Sequence, residues 1–208
     1  MRSELATRQF RLPGQLLLLC TASGVLLCSS GCANLFYAKR HTGSFSGKLS
    51  VEWVAPNQFI YRPDSASPLV FTTAQGVRIQ PQLMYTDGGS IPRLFWSTPN
   101  LGPWDFAPGY IIHDWLFHQH NCQLAGWQQV EFPQSAEILA EGIKTQMEKA
   151  KQPDPIILYA IYEAVSSPIA KNLWDHSPCT NPPVSGPPVG GAAATAPPVV
   201  ILKVEAHE

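Results

Sequence analysis

The apolar residues of this 208-residue chain change their spacing once, near Pro108, and that change limits the folds the chain can adopt. Before it, Lys48–Val54 alternates polar and apolar residues as a half-buried strand does. Three short runs rich in β-branched or aromatic residues follow, at 58–62, 69–73 and 77–80. Strands followed by helices predict an α+β fold, with a small antiparallel sheet in the N-terminal half and two to three helices after it.

Three segments in the second half carry helix signals. Gly109–Gln119 is short and very apolar, whereas Pro133–Lys151 is amphipathic. A third helix is predicted to begin at Asp154, whose side chain suits an N-cap, with Pro155 in the first helical position. This helix is apolar enough to be largely buried, and Ser166-Ser167-Pro168 is expected to kink or break it.

Composition excludes some classes of protein. Only 14% of the residues are charged, against an average near 25%. The net charge of −1 argues against a nucleic-acid binder that relies on a basic face. Seven of the 20 prolines lie in 176–208, which is therefore predicted to be a disordered tail, although Val199–Val204 is apolar enough to dock as an edge strand.

The N-terminus has the features of a targeting segment. Three arginines precede an interrupted apolar stretch that is too short to span a membrane and suits a secretory signal. The stretch runs into Ser29-Ser30-Gly31-Cys32, which resembles the lipobox of bacterial lipoproteins. This resemblance implies a signal peptide over 1–31, cleaved before Cys32, and a lipid on the cysteine sulfur. The alternative is an ordinary signal peptide cleaved near Ala33.

The lipobox resemblance also implies where the protein lies. In lipoproteins, the absence of aspartate after the lipidated cysteine is typical of sorting to the outer membrane, here facing the periplasm. The membrane is then a partner through Cys32, residues 32–44 are a tether, and 45–175 form a single globular domain. An oxidising compartment permits a bridge between Cys122 and Cys179, and two free thiols fit the sequence equally well.

A glycine-rich motif at residues 86–93, Thr-Asp-Gly-Gly-Ser-Ile-Pro-Arg, ends the strand-rich half. Aspartate before two glycines suits a tight turn, because its carboxylate can accept from N–H groups ahead of it. The glycines permit positive φ and close backbone approach. As a binding loop, the motif would present backbone N–H groups and three side chains to an anionic group: Asp87, Ser90 and Arg93. As structure alone, it is a turn that leaves the sheet.

His113 and Asp114 form an adjacent titratable pair inside an apolar helix. Burying such a pair is unfavourable unless both side chains are hydrogen-bonded or bind a metal. His113 also needs an acceptor to hold its tautomer. The candidate acids are Asp87, Asp105 and Glu137. His118 and His120 lie nearby, but their spacing does not put all three histidines on one helical face, as a zinc site would require. A satisfied buried polar cluster is the alternative to a functional site.

Together the two motifs resemble a bacterial and phage family, domain of unknown function 1353. The resemblance covers about residues 45–165 and rests on the motif at 86–93 and on Ile-His-Asp-Trp-Leu-Phe at 112–117. It implies a strand-rich start, an apolar helix that carries the His-Asp pair, and a following helix with an acid, here Glu137. Phe117 stands where the family usually has tyrosine.

A second resemblance, to phospholipase A2 and especially its compact viral type, suggests a chemistry. It rests on Asn-Leu-Gly-Pro at 100–103, on the His-Asp pair, and on an acid in the next helix. In that scheme His113 is the general base that activates water, and Glu137 orients it. Asp114 and carbonyls of the loop around Leu101–Pro103 bind Ca²⁺, which stabilises the oxyanion.

Two functions follow from these motifs. One is a hydrolase of an ester or amide, which acts in a polar cleft with His113 as general base and with Ca²⁺ as the metal that the second resemblance suggests. The other is a non-catalytic structural or binding lipoprotein, in which the same residues tie the loop to the helix. The substrate and any protein partners are left open by the sequence.

Overall fold

The fold combines an antiparallel sheet with helices, in a computed structural model that describes residues 31–55, 58–89, 99–182 and 199–206. The predicted α+β fold is confirmed, but within these ranges four α-helices follow the first five strands instead of two to three, and one more precedes them. The strands are β1 Ser44–Ala55, β2 Gln58–Tyr61, β3 Val70–Thr72, β4 Arg78–Ile79, β5 Met84–Thr86 and β6 Val199–Ala206. β2, β3 and β4 begin within the predicted runs, whereas β1 begins before Lys48–Val54 and β5 lies beyond the last of the four runs.

Strand β1 is the centre of the sheet, and the sheet order runs β4-β3-β1-β2-β5. β1 pairs with β3 through Phe45 and Phe71, and with β2 through Val51 and Tyr61. The last three of these side chains are fully buried, so the apolar face predicted from the alternation of β1 does face the core. β6 also pairs with β1 from Gly47 to Trp53, with a register shift between Val51 and Glu52.

Side-chain caps mark where α3 and α4 begin. Glu131 and Gln134 form a reciprocal capping box at the start of α3. Asp154 accepts a hydrogen bond of 3.0 Å from the backbone N–H of Ile157, as expected for an N-cap, and the predicted break at Ser166–Pro168 separates the last two helices. The helices are α1 (residues 31–39), α2 Ala107–Asn121, α3 Phe132–Ala150, α4 Pro155–Val165 and α5 Pro168–His176.

The core has two parts. One lies between the sheet and α2 and includes Leu49, Phe71 and Ile111. The other lies among α1, α3 and α4 and includes Tyr37 and Leu158. α2 borders both parts, so residues on α2 are held from two sides.

The predicted tether at 32–44 needs correction, because its first half is helix α1. Ala33 and Tyr37 are buried, and the Tyr37 hydroxyl donates to Glu148 of α3 at 2.9 Å. Ala33, Phe36, Tyr37 and Arg40 follow the i, i+3, i+4, i+7 spacing of an amphipathic helix, a signal that the lipobox interpretation passed over.

Two further predictions about burial and order are corrected. The predicted disordered tail includes strand β6, and Cys179 within it forms a disulfide with Cys122 at the end of α2. α4 was expected to be largely buried, yet only Leu158 and Ile161 are buried in it. The remaining apolar side chains of α4 are partly or largely exposed because helices cover it on one side only.

Residues 1–30, most of the predicted signal peptide, lie outside the described residues. Within the described ranges, no helix combines the length and apolarity needed to cross a bilayer.

Candidate functional site

The first residues of the glycine-rich loop follow β5 and pack against α2. The hydroxyl of Thr86 accepts a hydrogen bond of 3.0 Å from the backbone N–H of Gly88. The N–H of Gly89 donates to the carbonyl of Pro103 at 2.8 Å. Both glycine amides are therefore engaged inside the protein, which argues against their predicted availability to an anionic ligand.

The paired glycines do allow the positive φ and close approach that the sequence predicts. Gly88 has φ of 77°, and a Cβ there would lie 2.4 Å from the carbonyl oxygen of Pro103. A Cβ on Gly89 would lie 2.8 Å from the ring of Tyr110 in α2. No side chain fits at either position without displacing the loop from the helix.

Asp114 lies where this loop meets α2. Its Oδ2 accepts a hydrogen bond of 2.6 Å from the hydroxyl of Thr86. Burial raises the pKa of Asp114 well above its usual value, the nearby charge of Asp87 raises it further, and the Thr86 hydrogen bond opposes both. The two carboxyl groups predicted to serve as ligands therefore lie close together, and their proximity favours the protonated form of Asp114.

His113 directly precedes Asp114 on α2 and is half-buried. Its Nε2 atom is buried and has no hydrogen-bond partner among the described residues. The ring packs against Phe117, with 4.8 Å between centroids. Burial lowers the pKa of His113 to about 4, so its imidazole is neutral at physiological pH.

Of the three acids that were candidates to orient His113, two form hydrogen bonds or ion pairs with other groups. Glu137 forms an ion pair with Arg40 and accepts from the Tyr162 hydroxyl at 2.9 Å. Asp105 accepts from the backbone N–H of Gly102 at 2.6 Å. Glu137 therefore bonds to Arg40 and Tyr162, and no acid among the described residues bonds to Nε2 of His113, so the structure does not support Glu137 as its orienting acid.

Several other predicted site residues fall outside this site. Ser90 and Arg93 lie outside the described residues. His118 has its Nδ1 3.7 Å from the sulfur of Cys122, whereas His120 stacks on Trp174 with 4.1 Å between centroids. Among the described residues, no group of three His, Cys, Asp or Glu side chains is arranged to bind a metal, so the weak zinc interpretation gains no support.

The calcium site that the phospholipase A2 resemblance implies does not fit the described geometry. Asp114 accepts from Thr86, and the carbonyl of Pro103, one of the loop carbonyls expected as a ligand, already accepts from Gly89. A calcium ion takes six to eight oxygen ligands, and this arrangement offers few that are not hydrogen-bonded already. No catalytic step is therefore derived through calcium.

Two residues of the site were not given a role from the sequence. Thr86 fastens the loop to Asp114, and its position as the first residue of the glycine-rich motif is the signal that identifies it. Tyr110, one turn before Asp114, has a buried hydroxyl with no partner among the described residues. Burial raises its pKa, as does the charge of Asp105, so the phenol stays protonated.

Two clefts of the described residues lie away from this pair. One of about 340 Å³ includes Arg40, Glu137 and the buried Glu141, and another of about 480 Å³ lies beside His118. Neither includes His113 or Asp114 in its lining. The predicted polar pair therefore lies at the junction between loop and helix, where both residues are half-buried.

Comparison with protein families, with curated proteins and with solved structures found no match to this chain.

Proposed function

We propose that this chain is a cell-envelope lipoprotein, anchored through Cys32 and facing the periplasm, whose loop–helix junction hydrolyses an ester or amide with His113 as general base. The proposal joins two parts, the anchor and the chemistry, and each has its own test. The lipobox motif supports the anchor, together with the exposure of Cys32, which forms no disulfide.

The observation that carries the chemistry is the buried, partnerless Nε2 of His113. Leaving a buried polar atom unsatisfied costs about 1–3 kcal/mol, and a water molecule or substrate that bonds to Nε2 would remove that cost. With a pKa of about 4, the imidazole is neutral at physiological pH, which is the form a general base needs, and its basicity rises when water or substrate enters the site. Since no described acid bonds to Nε2, His113 acts in this proposal without the orienting carboxylate that the resemblance implied.

The reaction follows from that one basic nitrogen. A water molecule gives its proton to His113 as its oxygen attacks the carbonyl carbon of the substrate. The proton then passes to the leaving oxygen or nitrogen as the C–O or C–N bond breaks. Thr86 and Asp114 hold the loop against α2 and thereby fix the position of His113.

The chemistry is tested by activity profiling of the folded domain against phospholipids and simple acyl esters, with and without added Ca²⁺. His113→Gln is expected to lower kcat by about a hundredfold or more, because the general base is lost. His120→Gln is the matched control: it alters another histidine of the same helix, which stacks on Trp174. Activity that persists in His113→Gln would assign the chemistry to other residues or to a contaminant.

A structural role is the second candidate, and the internal hydrogen bonds of the loop favour it. Thr86 bridges Gly88 and Asp114, so the junction already serves to tie the sheet to α2. His113→Phe separates the two roles, because an apolar ring of similar shape removes the unsatisfied nitrogen. If His113 is catalytic, this variant keeps or gains stability and loses activity. If His113 is a structural member of the junction, the variant loses stability.

The anchor is tested by metabolic labelling of the full chain with a fatty-acid analogue and by the mass of the mature N-terminal peptide. Label on the wild type that is absent from Cys32→Ser supports lipidation. An unmodified N-terminus near Ala33 would instead indicate an ordinary signal peptide.

A further inference from the structure

We infer that one end of the molecule is a membrane-contact surface, on which the domain rests against the bilayer beside its anchor. We call this surface the anchor face. The inference depends on the lipidation of Cys32 proposed above and adds an orientation to it. The residues of the anchor face are Cys32, Leu35, Lys151, Ile156 and Tyr159.

The first argument is that the anchor has no spacer. Residue 31 is already helical, and Ala33, directly after Cys32, is 2% exposed. α1 is fixed to α3 by the hydrogen bond between Tyr37 and Glu148 and by Lys144, whose ammonium donates to the carbonyls of Tyr37 and Arg40. A lipid on Cys32 would therefore be joined to the folded domain within one helical turn, and the surface around it would meet the headgroups.

The second argument concerns which elements surround Cys32. α1 and α3 run antiparallel, since Tyr37 contacts Glu148 whereas Arg40 contacts Glu137. The Cys32 end of α1 therefore lies beside the C-terminal end of α3, where Lys151 is exposed.

α4 brings its first turn to the same end. Phe36 contacts Tyr159 at 5.3 Å between centroids, and Arg40 lies over the ring of Tyr162, so α4 runs parallel to α1. The pKa of Tyr159 is raised chiefly by its hydrogen bond to Glu163, and Cys32 is among the nearby charges that contribute. The start of α4 thus lies close to the proposed lipid.

The third argument is the chemistry of the exposed side chains at this end. Leu35 is 63% exposed and Ile156 is 59% exposed, although both are large aliphatic residues. Tyr159 is half-buried and Lys151 is exposed. Aliphatic side chains, a tyrosine and a lysine beside a lipid anchor form the combination that suits the boundary between headgroups and acyl chains. We therefore assign a lipid bilayer to this face rather than a protein.

The experiment uses the full chain, purified in its lipidated form and reconstituted into vesicles of phosphatidylethanolamine and phosphatidylglycerol. A benzophenone amino acid replaces Leu35 or Ile156, and lipid adducts are counted by mass spectrometry after irradiation. Ile169 is the matched control position because it is 77% exposed and lies on α5. α4 has 11 residues. It is therefore about 16 Å long and separates position 169 from the anchor face.

We expect at least about fivefold more lipid adduct at positions 35 and 156 than at position 169. Equal yields at the three positions would overturn the inference, because the domain would then have no preferred face toward the bilayer. Protein crosslinks in place of lipid adducts at position 156 would overturn it in favour of a protein partner. Loss of fatty acid from Cys32 would instead refute the proposed lipidation, and the mass of the N-terminal peptide reports that separately.

Discussion

Two groups of polar residues in this protein use the same side-chain types in opposite ways. Where α1, α3 and α4 meet, each carboxylate finds a donor: Glu137 pairs with Arg40, and Glu148 accepts from Tyr37. At the loop–helix junction, Asp114 lies near a second carboxylate, and Nε2 of His113 has no described partner. The first group contributes to the stability of the fold, whereas the second lowers it, and such a departure is what a functional site requires.

The largest expected effect is the pH dependence that His113 gives to the free energy of unfolding. His113 has a pKa of about 4 in the fold, against 6.5 in the unfolded chain, so the unfolded chain binds more protons between these values. Its contribution to stability is complete above about pH 6.5 and is lost as the pH falls toward 4, by about 3 kcal/mol in all. Wild type and His113→Phe should therefore diverge in denaturant titrations between pH 7 and pH 4. Parallel curves for the two proteins would show that the imidazole is solvated.

The next largest effect is a loss of stability on substitution in the glycine-rich loop. Gly88→Ala should lower the free energy of unfolding by about 2–3 kcal/mol, because the residue has positive φ and its Cβ would meet the Pro103 carbonyl. Gly76→Ala is the matched control, since Gly76 also has positive φ but nothing lies within 4 Å of its Cβ position. That control should lose only about 1 kcal/mol. Equal losses would mean that the loop moves freely away from Pro103.

A smaller effect of opposite sign is expected at Asp114. Its raised pKa means that the fold favours the protonated form, so stability is lost as the pH rises above the usual carboxyl pKa. Asp114→Asn imitates the protonated form and still accepts from Thr86, and it should stabilise the protein at pH 7 by on the order of 1 kcal/mol. Chemical denaturation with the disulfide intact measures this change. Destabilisation would indicate that an ionised Asp114 is matched by a cation.

The smallest change in stability is expected at Glu137, whose carboxylate already has partners. Glu137→Gln should cost roughly 0.5–1 kcal/mol, because the Arg40–Glu137 pair is partly exposed and screened by solvent. Hydrolytic activity per folded molecule should stay at the wild-type level, since Glu137 contacts Arg40 and Tyr162. An activity loss as large as that of His113→Gln would restore Glu137 to the role of orienting acid.

Features that depend on near neighbours in the chain were predictable. The alternation in β1, the cap at Asp154 and the break before Pro168 each follow from a few adjacent residues. The paired glycines at 88 and 89 likewise indicated close approach, and the structure identifies what they approach.

Features that depend on distant partners were not predictable. The sequence does not show that Glu137 lies against Arg40, almost a hundred residues earlier, and the family resemblance suggested a different neighbour. α1 was missed because residues 32–44, directly after the lipobox cysteine, were interpreted as a tether. Glu141 is buried and accepts from the N–H of Ala74 at 2.5 Å, a partner that likewise lies far from it in the sequence.

The pairing of β1 with β6 has a consequence for how the chain acquires its fold. The first strand to be synthesised finds one of its neighbours in Val199–Ala206, near the very end of the sequence. Until those residues leave the ribosome, the edge of β1 from Gly47 to Trp53 lacks this partner, and open strand edges favour association between chains. The helices can form and dock early, whereas the sheet is completed last, so a chaperone that shields β1 during that interval would act at the most vulnerable stage of folding.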